Sequence, residues 1–197
     1  LPGLWALMPL LLLGYGAVVV ERGLWLGPYF AEVHGLAGVA LGNAALAMAA
    51  SMSVGALFFG YIDRLLPGRH RVLVVTGSLL SASGFAMLSA VARPSVQAAV
   101  VTFAFIGAMG LCQPLLFAHA RRFFPEHLLG RGMTFANFLT IGGSGLVQWA
   151  TGVLVVREQS GGAAPPEVYA TLHGVLAATI AAATLIYLMA PRTRAQS

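Results

Sequence analysis

Residues 96–120 read VQAAVVTFAFIGAMGLCQPLLFAHA, a run that contains no Asp, Glu, Lys or Arg. A helix needs about 20 predominantly apolar residues to cross the hydrocarbon core of a bilayer, and this run is long enough. Similar runs occur at about 4–30, 37–62, 72–92, 132–156 and 168–190. They are too long and too uniformly apolar for the alternating strands of a membrane barrel. The sequence therefore predicts an all-α membrane protein with six transmembrane helices, in one domain over residues 1–197.

The composition of the chain indicates lipid rather than water as its solvent. Hydrophobic residues make up 58% of the 197 residues and charged residues 9%, whereas an ordinary soluble domain is about 45–50% apolar and about 25% charged. A disordered chain and almost any water-soluble enzyme of this size are therefore excluded. The single cysteine, Cys112, excludes a disulfide framework and a cysteine-rich zinc site. The sequence also lacks a histidine metal motif and a phosphate-binding loop, so we expect no cofactor.

The arginines are distributed unevenly between the two sides of a six-span topology, in which both chain ends lie on the same side. That side carries eight arginines: Arg64, Arg69, Arg71, Arg121, Arg122, Arg131, Arg192 and Arg194. The opposite loops carry Arg93 and Arg157, with Arg22 near that face. The positive-inside rule then predicts cytoplasmic termini and a multi-pass protein of the cell (inner or plasma) membrane. Because the arginines do not form one basic face, we expect membrane lipid and no nucleic acid as a partner.

An ionisable pair, Glu21 and Arg22, interrupts the first apolar run. Ionisable residues inside a membrane are costly, and each is by default a candidate functional residue. If the first helix continues to Phe30, the pair lies inside the membrane, where it could bind substrate or relay a proton. If the helix ends just before the pair, both residues are interfacial. Trp25 and Tyr29 resemble an aromatic belt, which favours the interfacial placement.

Polar residues recur along one face of the fifth span. Thr134, Asn137, Ser144, Gln148 and Thr151 fall within an arc of roughly 100° on a helical projection. Polar groups inside membranes usually face the interior of a bundle or a wet cavity. Two interpretations remain open, namely a substrate path and hydrogen bonding between helices.

Two other spans contain polar residues that could belong to the same path. Asn43 and Ser51 lie in the second span, and Gln113 stands beside Pro114 at a point where the fourth span could kink. Together with the pair in the first span, the candidate substrate-path residues are Glu21, Arg22, Asn43, Gln113, Asn137, Ser144 and Gln148.

Glycine is frequent. It accounts for 24 of the 197 residues, a larger share than the roughly 7% of an average protein. Small residues let membrane helices approach closely. Gly142, Gly143 and Gly145 cluster in the fifth span, and Gly107 and Gly110 lie in the fourth. The clusters fit either static close packing or helices that slide and bend in a carrier.

The stretch 142–145, GGSG, fits the nucleophile motif of rhomboid intramembrane proteases, and His173 lies in the sixth span, where a base would be. A serine nucleophile needs its base within hydrogen-bonding reach. Ser144 and His173 differ in depth by roughly 10 Å at about 1.5 Å per residue. The rhomboid serine also belongs in the fourth span. The rhomboid-like protease is therefore the weaker alternative, and we do not expect an enzyme.

The loop after the second span carries a pattern of glycines and charges. Residues 60–71 read GYIDRLLPGRHR. This stretch resembles the cytoplasmic signature of the major facilitator superfamily, which lies between the second and third helices of each six-helix half. The matching residues are Gly60, Asp63, Arg64, Gly68, Arg69 and Arg71. Compared with the signature, the interval from Gly60 to Asp63 is one residue shorter and the interval from Asp63 to Gly68 is two residues longer. This loosened form resembles the second copy of the signature, which is usually the more degraded.

Two further stretches are similar to the C-terminal halves of bacterial members of this superfamily. Residues 23–30, GLWLGPYF, leave the first helix, and residues 124–131 and 137–149 enter the fifth. The similarities cover most of the chain, and their order agrees with the six-span topology.

The resemblance implies a carrier of two six-helix halves around a site near the bilayer midplane, which works by rocking. This chain would be the C-terminal half. Its partner would be an N-terminal six-helix half in the same polypeptide or in a second chain. The first and fourth spans would face the central cavity, and the second and fifth would line the seam between the halves. Asp63, Arg64, Arg69 and Arg71 would form charge contacts that close the cytoplasmic side.

The function implied by the resemblance is transport of a small-molecule substrate by alternating access, driven by an ion gradient or by the substrate's own gradient. A proton-coupling carboxylate would be Glu21 or would belong to the other half, because no other acidic residue of this chain lies near mid-membrane. The structural alternative is a non-transporting membrane subunit or a degenerate half-transporter.

Overall fold

The structure is a computed structural model that describes residues 4–190. Within this range, six helices are long and apolar enough to cross a membrane, and no strand occurs. In chain order they are α1 Leu4–His34, α2 Gly38–Leu65, α3 His70–Ala90, α4 Val96–Arg121, α5 Glu126–Ser160 and α6 Pro165–Tyr187. The predicted all-α class with six spans is confirmed. The tail arginines Arg192 and Arg194 lie outside the described residues.

Helix α1 runs further than the sequence predicts. It joins a 3-10 turn (Leu4–Ala6), an α-helix (Met8–Val20), a π-helical turn (Glu21–Trp25) and a second α-helix (Leu26–His34). It ends at Gly35, whose φ of 68° lies in the left-handed region that glycine adopts without strain. Glu21 therefore lies well inside the helix and not at its end.

Other helices also differ from the predicted spans at their ends. Helix α5 begins before residue 132 and ends after residue 156, because polar residues continue the helix past the apolar run at both ends. Helix α4 is divided into two segments, Val96–Gly110 and Gln113–Arg121, by a turn at Leu111 and Cys112. Helix α6 ends at Tyr187, short of the predicted residue 190.

Short connections define two ends of the bundle. The end that we call the His34 end carries residues 35–37, 91–95 and 161–164, and the opposite Asp63 end carries residues 66–69 and 122–125. At the His34 end, the Ser95 hydroxyl accepts a hydrogen bond from the Ala98 N–H (3.2 Å). This bond satisfies one of the free N–H groups at the start of α4 and fixes where the helix begins.

Helix α1 lies at the centre of the bundle. It packs on α5 and α6 and also contacts α4, while α3 packs on α6 and α4, and α2 packs mainly on α4. Accordingly, α1 and α4 are the most buried helices, and α2 and α5 are the least buried. Large apolar side chains such as Leu57 on α2 and Phe138 on α5 are exposed, and therefore face lipid or another protein.

Two glycines set how closely the helices approach. Gly143 of α5 lies against the backbone of Leu12 in α1, and a Cβ at this position would overlap the Leu12 carbonyl oxygen. Gly55 of α2 lies in the same way against the carbonyl oxygen of Ala108 in α4. By contrast, a Cβ at Gly142 would meet no neighbouring atom of the described chain within 4 Å. Within the α5 cluster, Gly143 therefore takes part in the close helix packing that small residues permit, and Gly142 does not.

Candidate functional site

A groove of about 460 Å³ opens where α1, α4 and α5 meet. Its lining residues are Tyr15 on α1, Leu111, Gln113, Pro114 and Phe117 on α4, and Asn137, Thr140 and Ile141 on α5. The structure thus brings together two predicted substrate-path residues from different helices, Gln113 and Asn137. It adds Tyr15 and Thr140, which are not among the substrate-path residues predicted from the sequence.

The break in α4 shapes this groove. The turn at Leu111 and Cys112 is followed by Gln113, the first residue of the second segment, and by Pro114, which lacks a backbone N–H and suits the first turn of a helix. Broken helices are tolerated at membrane depth where the irregular backbone is buried in protein or lines a cavity. The sequence places the kink at Gln113 and Pro114, directly after the observed break.

The Gln113 amide is the most informative group of the groove. The residue is 7% exposed, and its Nε2 atom has no hydrogen-bond partner among the described residues. Leaving a buried donor unpaired costs about 1–3 kcal/mol, so such a group is suited to recognise a bound molecule. Gln113 therefore supplies a donor that is not already used by the protein.

The other polar groups of the groove lining are uncharged as well. Tyr15 carries a hydroxyl group and Asn137 an amide, while the Thr140 hydroxyl donates to the Ala136 carbonyl oxygen of its own helix (3.1 Å). Amides and hydroxyls both donate and accept hydrogen bonds. The lining is thus suited to hydroxyl, carbonyl or amide groups of a neutral solute.

The polar stripe predicted on α5 does not point into one cavity. Ser144 donates to a carbonyl oxygen of its own helix (3.0 Å), and Gln148 is exposed further along α5, outside the groove. Thr151 is buried and accepts a hydrogen bond from the Trp25 indole of α1 (3.0 Å). Of the stripe, Asn137 lines the groove, whereas Thr151 forms a bond between helices.

Asn43 lies apart from the groove. It is exposed on α2, a helix that contributes no residue to the groove lining. Ser51, the other polar residue considered in the second span, donates to the Met48 carbonyl oxygen of the same helix (2.7 Å). The resemblance places α2 at the seam between two halves, and Asn43 is on the exposed surface that such a seam would cover.

Glu21 of α1 and His173 of α6 form a buried pair. The His173 Nε2 and Glu21 Oε1 atoms lie 3.1 Å apart, and both side chains are 0% exposed. The interfacial placement favoured for Glu21 is therefore wrong, because α1 continues to His34 and carries the carboxyl group against α6. Arg22 is exposed, and so lies on a different face of α1.

Four aromatic residues, which we call the aromatic cage, lie around the histidine of this pair. The ring centroid of His173 lies 5.5 Å from that of Tyr29, 5.7 Å from Phe103, 6.1 Å from Phe85 and 6.5 Å from Tyr169. These residues come from α1, α4, α3 and α6, so four helices close around the imidazole. Tyr29, which the sequence suggested as part of an aromatic belt, is a core residue.

Two polar contacts lie between the aromatic cage and the His34 end. The Tyr169 hydroxyl donates to the carboxylate of Glu32 (3.0 Å), and the Tyr29 hydroxyl lies 3.3 Å from His34 Nε2. Glu32 is exposed, whereas His34 is half-buried. The hydroxyl groups of the cage are therefore directed toward the His34 end of the bundle.

At the Asp63 end, the charged loop makes contacts that the superfamily signature does not specify. Asp63 Oδ1 lies 3.1 Å from His70 Nε2, at ion-pair distance but without the geometry of a hydrogen bond. Arg71 donates to the carbonyl oxygen of Leu188, just after α6. These contacts connect the ends of α2, α3 and α6.

The remaining signature residues lie around this loop. Arg64 and Arg69 are exposed, as is Gly60. Gly68 has a φ of 80°, so it makes the tight turn that a residue with a side chain would adopt only with strain. Among the described residues, the close partner of Asp63 is thus a histidine and not one of the arginines that the resemblance places in the gate.

The structure does not assemble Ser144 and His173 into a catalytic dyad. The Ser144 hydroxyl donates within its own helix, and the His173 imidazole is engaged with Glu21. Ser144 packs against Gly16 of α1, and Gly16 and Glu21 are separated along the helix by roughly 7.5 Å at about 1.5 Å per residue. The arrangement gives no support to a serine protease.

The arrangement of the six helices matches part of a solved transporter. The inward-open structure of the xylose transporter XylE from E. coli superposes on 95% of this chain with a TM-score of 0.72, at 15% sequence identity. The six helices therefore have the fold of one half of this transporter. The chain spans about half (47%) of the length of XylE. No protein-family model and no curated protein matches the sequence.

The half-transporter fold confirms the architecture that the apolar runs and the charge signature predict, and it is the fold of a multi-pass membrane protein.

The sequence carried weak signals for the groove residues that were not predicted. Tyr15 stands between Gly14 and Gly16 in an otherwise aliphatic run, and Thr140 follows Asn137 by three positions on one helical face. Nothing in the sequence signals the pairing of Glu21 with a histidine 152 positions away.

Proposed function

We propose that this chain forms the C-terminal half of a secondary transporter, which moves a small, uncharged polar solute by alternating access. An N-terminal six-helix half, in the same polypeptide or in a second chain, completes the solute pathway. The observation that carries the proposal is the groove of Tyr15, Gln113 and Asn137 on a half-transporter fold, with an unpaired amide donor in its lining.

The geometry of two-half carriers supports this role for the groove. Their site lies near the bilayer midplane at the contact between the halves, often where a helix is interrupted. The groove contains the break in α4, and Gln113 lies well inside that helix. The solute named for XylE, xylose, is an uncharged molecule with several hydroxyl groups. The neutral lining here suits a solute of this kind.

The arginines support an orientation with both chain ends in the cytoplasm. Arg64, Arg69 and Arg71 lie at the Asp63 end, whereas Arg93 lies at the His34 end. The positive-inside rule then places the Asp63 end in the cytoplasm of a cell membrane. In this orientation the Asp63 and Arg71 contacts hold the cytoplasmic ends of three helices together, which is the role that the resemblance gives to the loop.

The test is uptake into proteoliposomes by the native polypeptide that carries this chain, with a panel of neutral sugars, polyols and small amides. Replacing Gln113 with alanine is expected to lower uptake about tenfold. The reason is that the loss of one hydrogen bond of about 1.4 kcal/mol weakens the binding of the solute tenfold. Asn137→Ala is expected to act in the same direction, since it lines the same groove.

The matched control is Gln159→Ala, which removes an exposed amide near the end of α5. Its uptake should equal that of the unmodified protein. Equal losses in Gln113→Ala and Gln159→Ala would contradict the assignment of the groove. If no solute is taken up, and none raises the unfolding temperature as a bound ligand must, the chain is a non-transporting subunit.

A further inference from the structure

A second cavity, of about 320 Å³, lies at the Asp63 end of the bundle, and we call it the basic pocket. It is lined by residues 68–72, where α3 begins, and by His119 and Arg122, where α4 ends. Its volume is that of about ten water molecules at about 30 Å³ each, which is enough for a small polar group. The basic pocket shares no residue with the groove that we assign to the solute, so it needs an assignment of its own.

The charge of the lining has one sign. Arg69, Arg71 and Arg122 line the basic pocket, and no Asp or Glu does. Asp63 contacts His70 but is not part of the lining. Even with this carboxylate counted, two positive charges remain in excess when the histidines are neutral. In the described part of the chain, none of the three arginines lies within 4.0 Å of a carboxylate oxygen. The basic pocket therefore attracts an anion.

The start of α3 adds backbone donors to this charge. The first N–H groups of a helix have no acceptor within it, and the helix dipole favours a negative charge beside them. Arg69, which precedes the helix, makes no capping hydrogen bond with its side chain, and the first turn contains no acidic residue. His70, Arg71 and Val72 carry these N–H groups, and all three line the basic pocket. Helix starts of this kind bind phosphate groups.

Two buried imidazoles point to a ligand independently of the helix start. His70 is 9% exposed, and its Nδ1 atom is buried with no partner among the described residues. Leaving a buried polar atom without a partner is costly. His119 is buried as well, and its Nδ1 atom lies 2.6 Å from the Tyr187 hydroxyl. When this hydroxyl donates to Nδ1, the neutral imidazole carries its proton on Nε2, which is then a donor for a group in the basic pocket.

Phosphate fits this set of donors better than a carboxylate does. The planar guanidinium group of arginine matches the oxygen atoms of both anions. A phosphate monoester carries a charge of about −1.5 to −2 near pH 7, which balances the excess of positive charge, whereas one carboxylate balances half of it. Val72 lines the basic pocket and is exposed, so the rim has apolar surface beside the charges. Basic pockets between the ends of membrane-spanning helices are typical sites for lipid headgroups.

We propose that the basic pocket binds a phosphate monoester, held by Arg69, Arg71 and Arg122 together with the N–H groups that begin α3. Arg71 already donates to the carbonyl oxygen of Leu188, but a guanidinium group has five N–H donors, so others remain. The bound group joins the start of α3 to the end of α4 and offsets the repulsion between the arginines. An anionic lipid headgroup and a soluble phosphate ester both supply this chemistry. The proposal does not depend on transport.

The experiment measures the unfolding temperature of the native polypeptide that carries this chain, in maltoside detergent at constant ionic strength and without solute. The two probes are dioctanoyl phosphatidic acid and inorganic phosphate, and dioctanoyl phosphatidylcholine is the control lipid. A bound ligand raises the unfolding temperature in a saturable way. A rise with both probes supports a site that takes soluble phosphate, and a rise with phosphatidic acid alone supports a site for a lipid headgroup. No rise with either probe would overturn the proposal, as would an equal rise with phosphatidylcholine.

Two neighbouring arginines separate a defined site from general attraction to a basic surface. Arg122→Gln is expected to raise the half-saturating probe concentration about tenfold, because one charge-assisted hydrogen bond is lost. Arg121→Gln is the matched control, since Arg121 is equally exposed but does not line the basic pocket. It should keep the half-saturating concentration of the unmodified protein. Equal changes in the two variants would also overturn the proposal. None of these outcomes bears on uptake through the groove, so the two proposals can fail independently.

Discussion

Replacing His173 with phenylalanine is expected to lower the free energy of unfolding by about 3–5 kcal/mol, the cost of removing one partner of a buried charge pair. Phenylalanine can keep much of the packing against Phe85 and Phe103, so the main loss is the 3.1 Å contact with Glu21. The carboxyl group is then fully buried with no partner. The measurement is chemical unfolding of the native polypeptide in detergent micelles.

Two further variants separate the charge from the packing. His127→Phe changes an exposed histidine and should alter stability by no more than about 0.5 kcal/mol. Adding Glu21→Leu to His173→Phe should recover most of the loss, since replacing both partners of a buried pair with apolar groups is often neutral or stabilising. If the double variant is as unstable as the single one, the loss comes from packing and the pair is not the source of the cost.

The fold was predictable because the membrane limits the alternatives. An apolar run such as residues 96–120 must satisfy its backbone groups internally, and a helix of this length does so. The number of such runs then fixes the number of spans. The ends of the helices were less predictable, since helices such as α5 continue beyond the apolar run into polar residues at both ends.

The candidate site was predictable only in part. Asn137 was selected as part of the polar stripe of the fifth span and Gln113 as a polar residue beside Pro114, and both line the groove. Ser144 and Gln148 share the helical arc of Asn137, but they lie further along α5, where the neighbouring surfaces are different. A projection down the helix axis shows the direction of a side chain and not its depth, so it grouped residues that the bundle separates.

Pairings between helices were not predictable from spacing. Glu21 was placed at the interface because aromatic residues follow it, but the same residues, Trp25 and Tyr29, turn inward when α1 continues to His34. At the other end, the resemblance placed Asp63 and three arginines in the charge contacts of the cytoplasmic side, with no histidine among them. The start of α3 places His70 beside Asp63, because the turn at residues 66–69 brings that helix back toward α2.

The glycine cluster of α5 gives a second prediction with a large effect. Its two interpretations, static packing and sliding helices, both require that some glycine of the cluster lies against another helix. Gly143 does so, since a Cβ there would meet the carbonyl oxygen, carbonyl carbon and Cα of Leu12. These are backbone atoms of α1, so no side-chain rotation can make room for the added methyl group.

Gly143→Ala is therefore expected to lower the free energy of unfolding by about 3 kcal/mol, the upper part of the range for overpacked sites, because α1 and α5 must separate. Gly142→Ala is the matched control, with no neighbouring described atom within 4 Å of its Cβ. It should be neutral or stabilising by up to about 1 kcal/mol, as alanine favours helix more than glycine. Unfolding in detergent compares the two variants. Equal stability would mean that α1 and α5 do not approach at Gly143. A stable Gly143→Ala protein that has lost uptake would instead favour a contact that slides during transport.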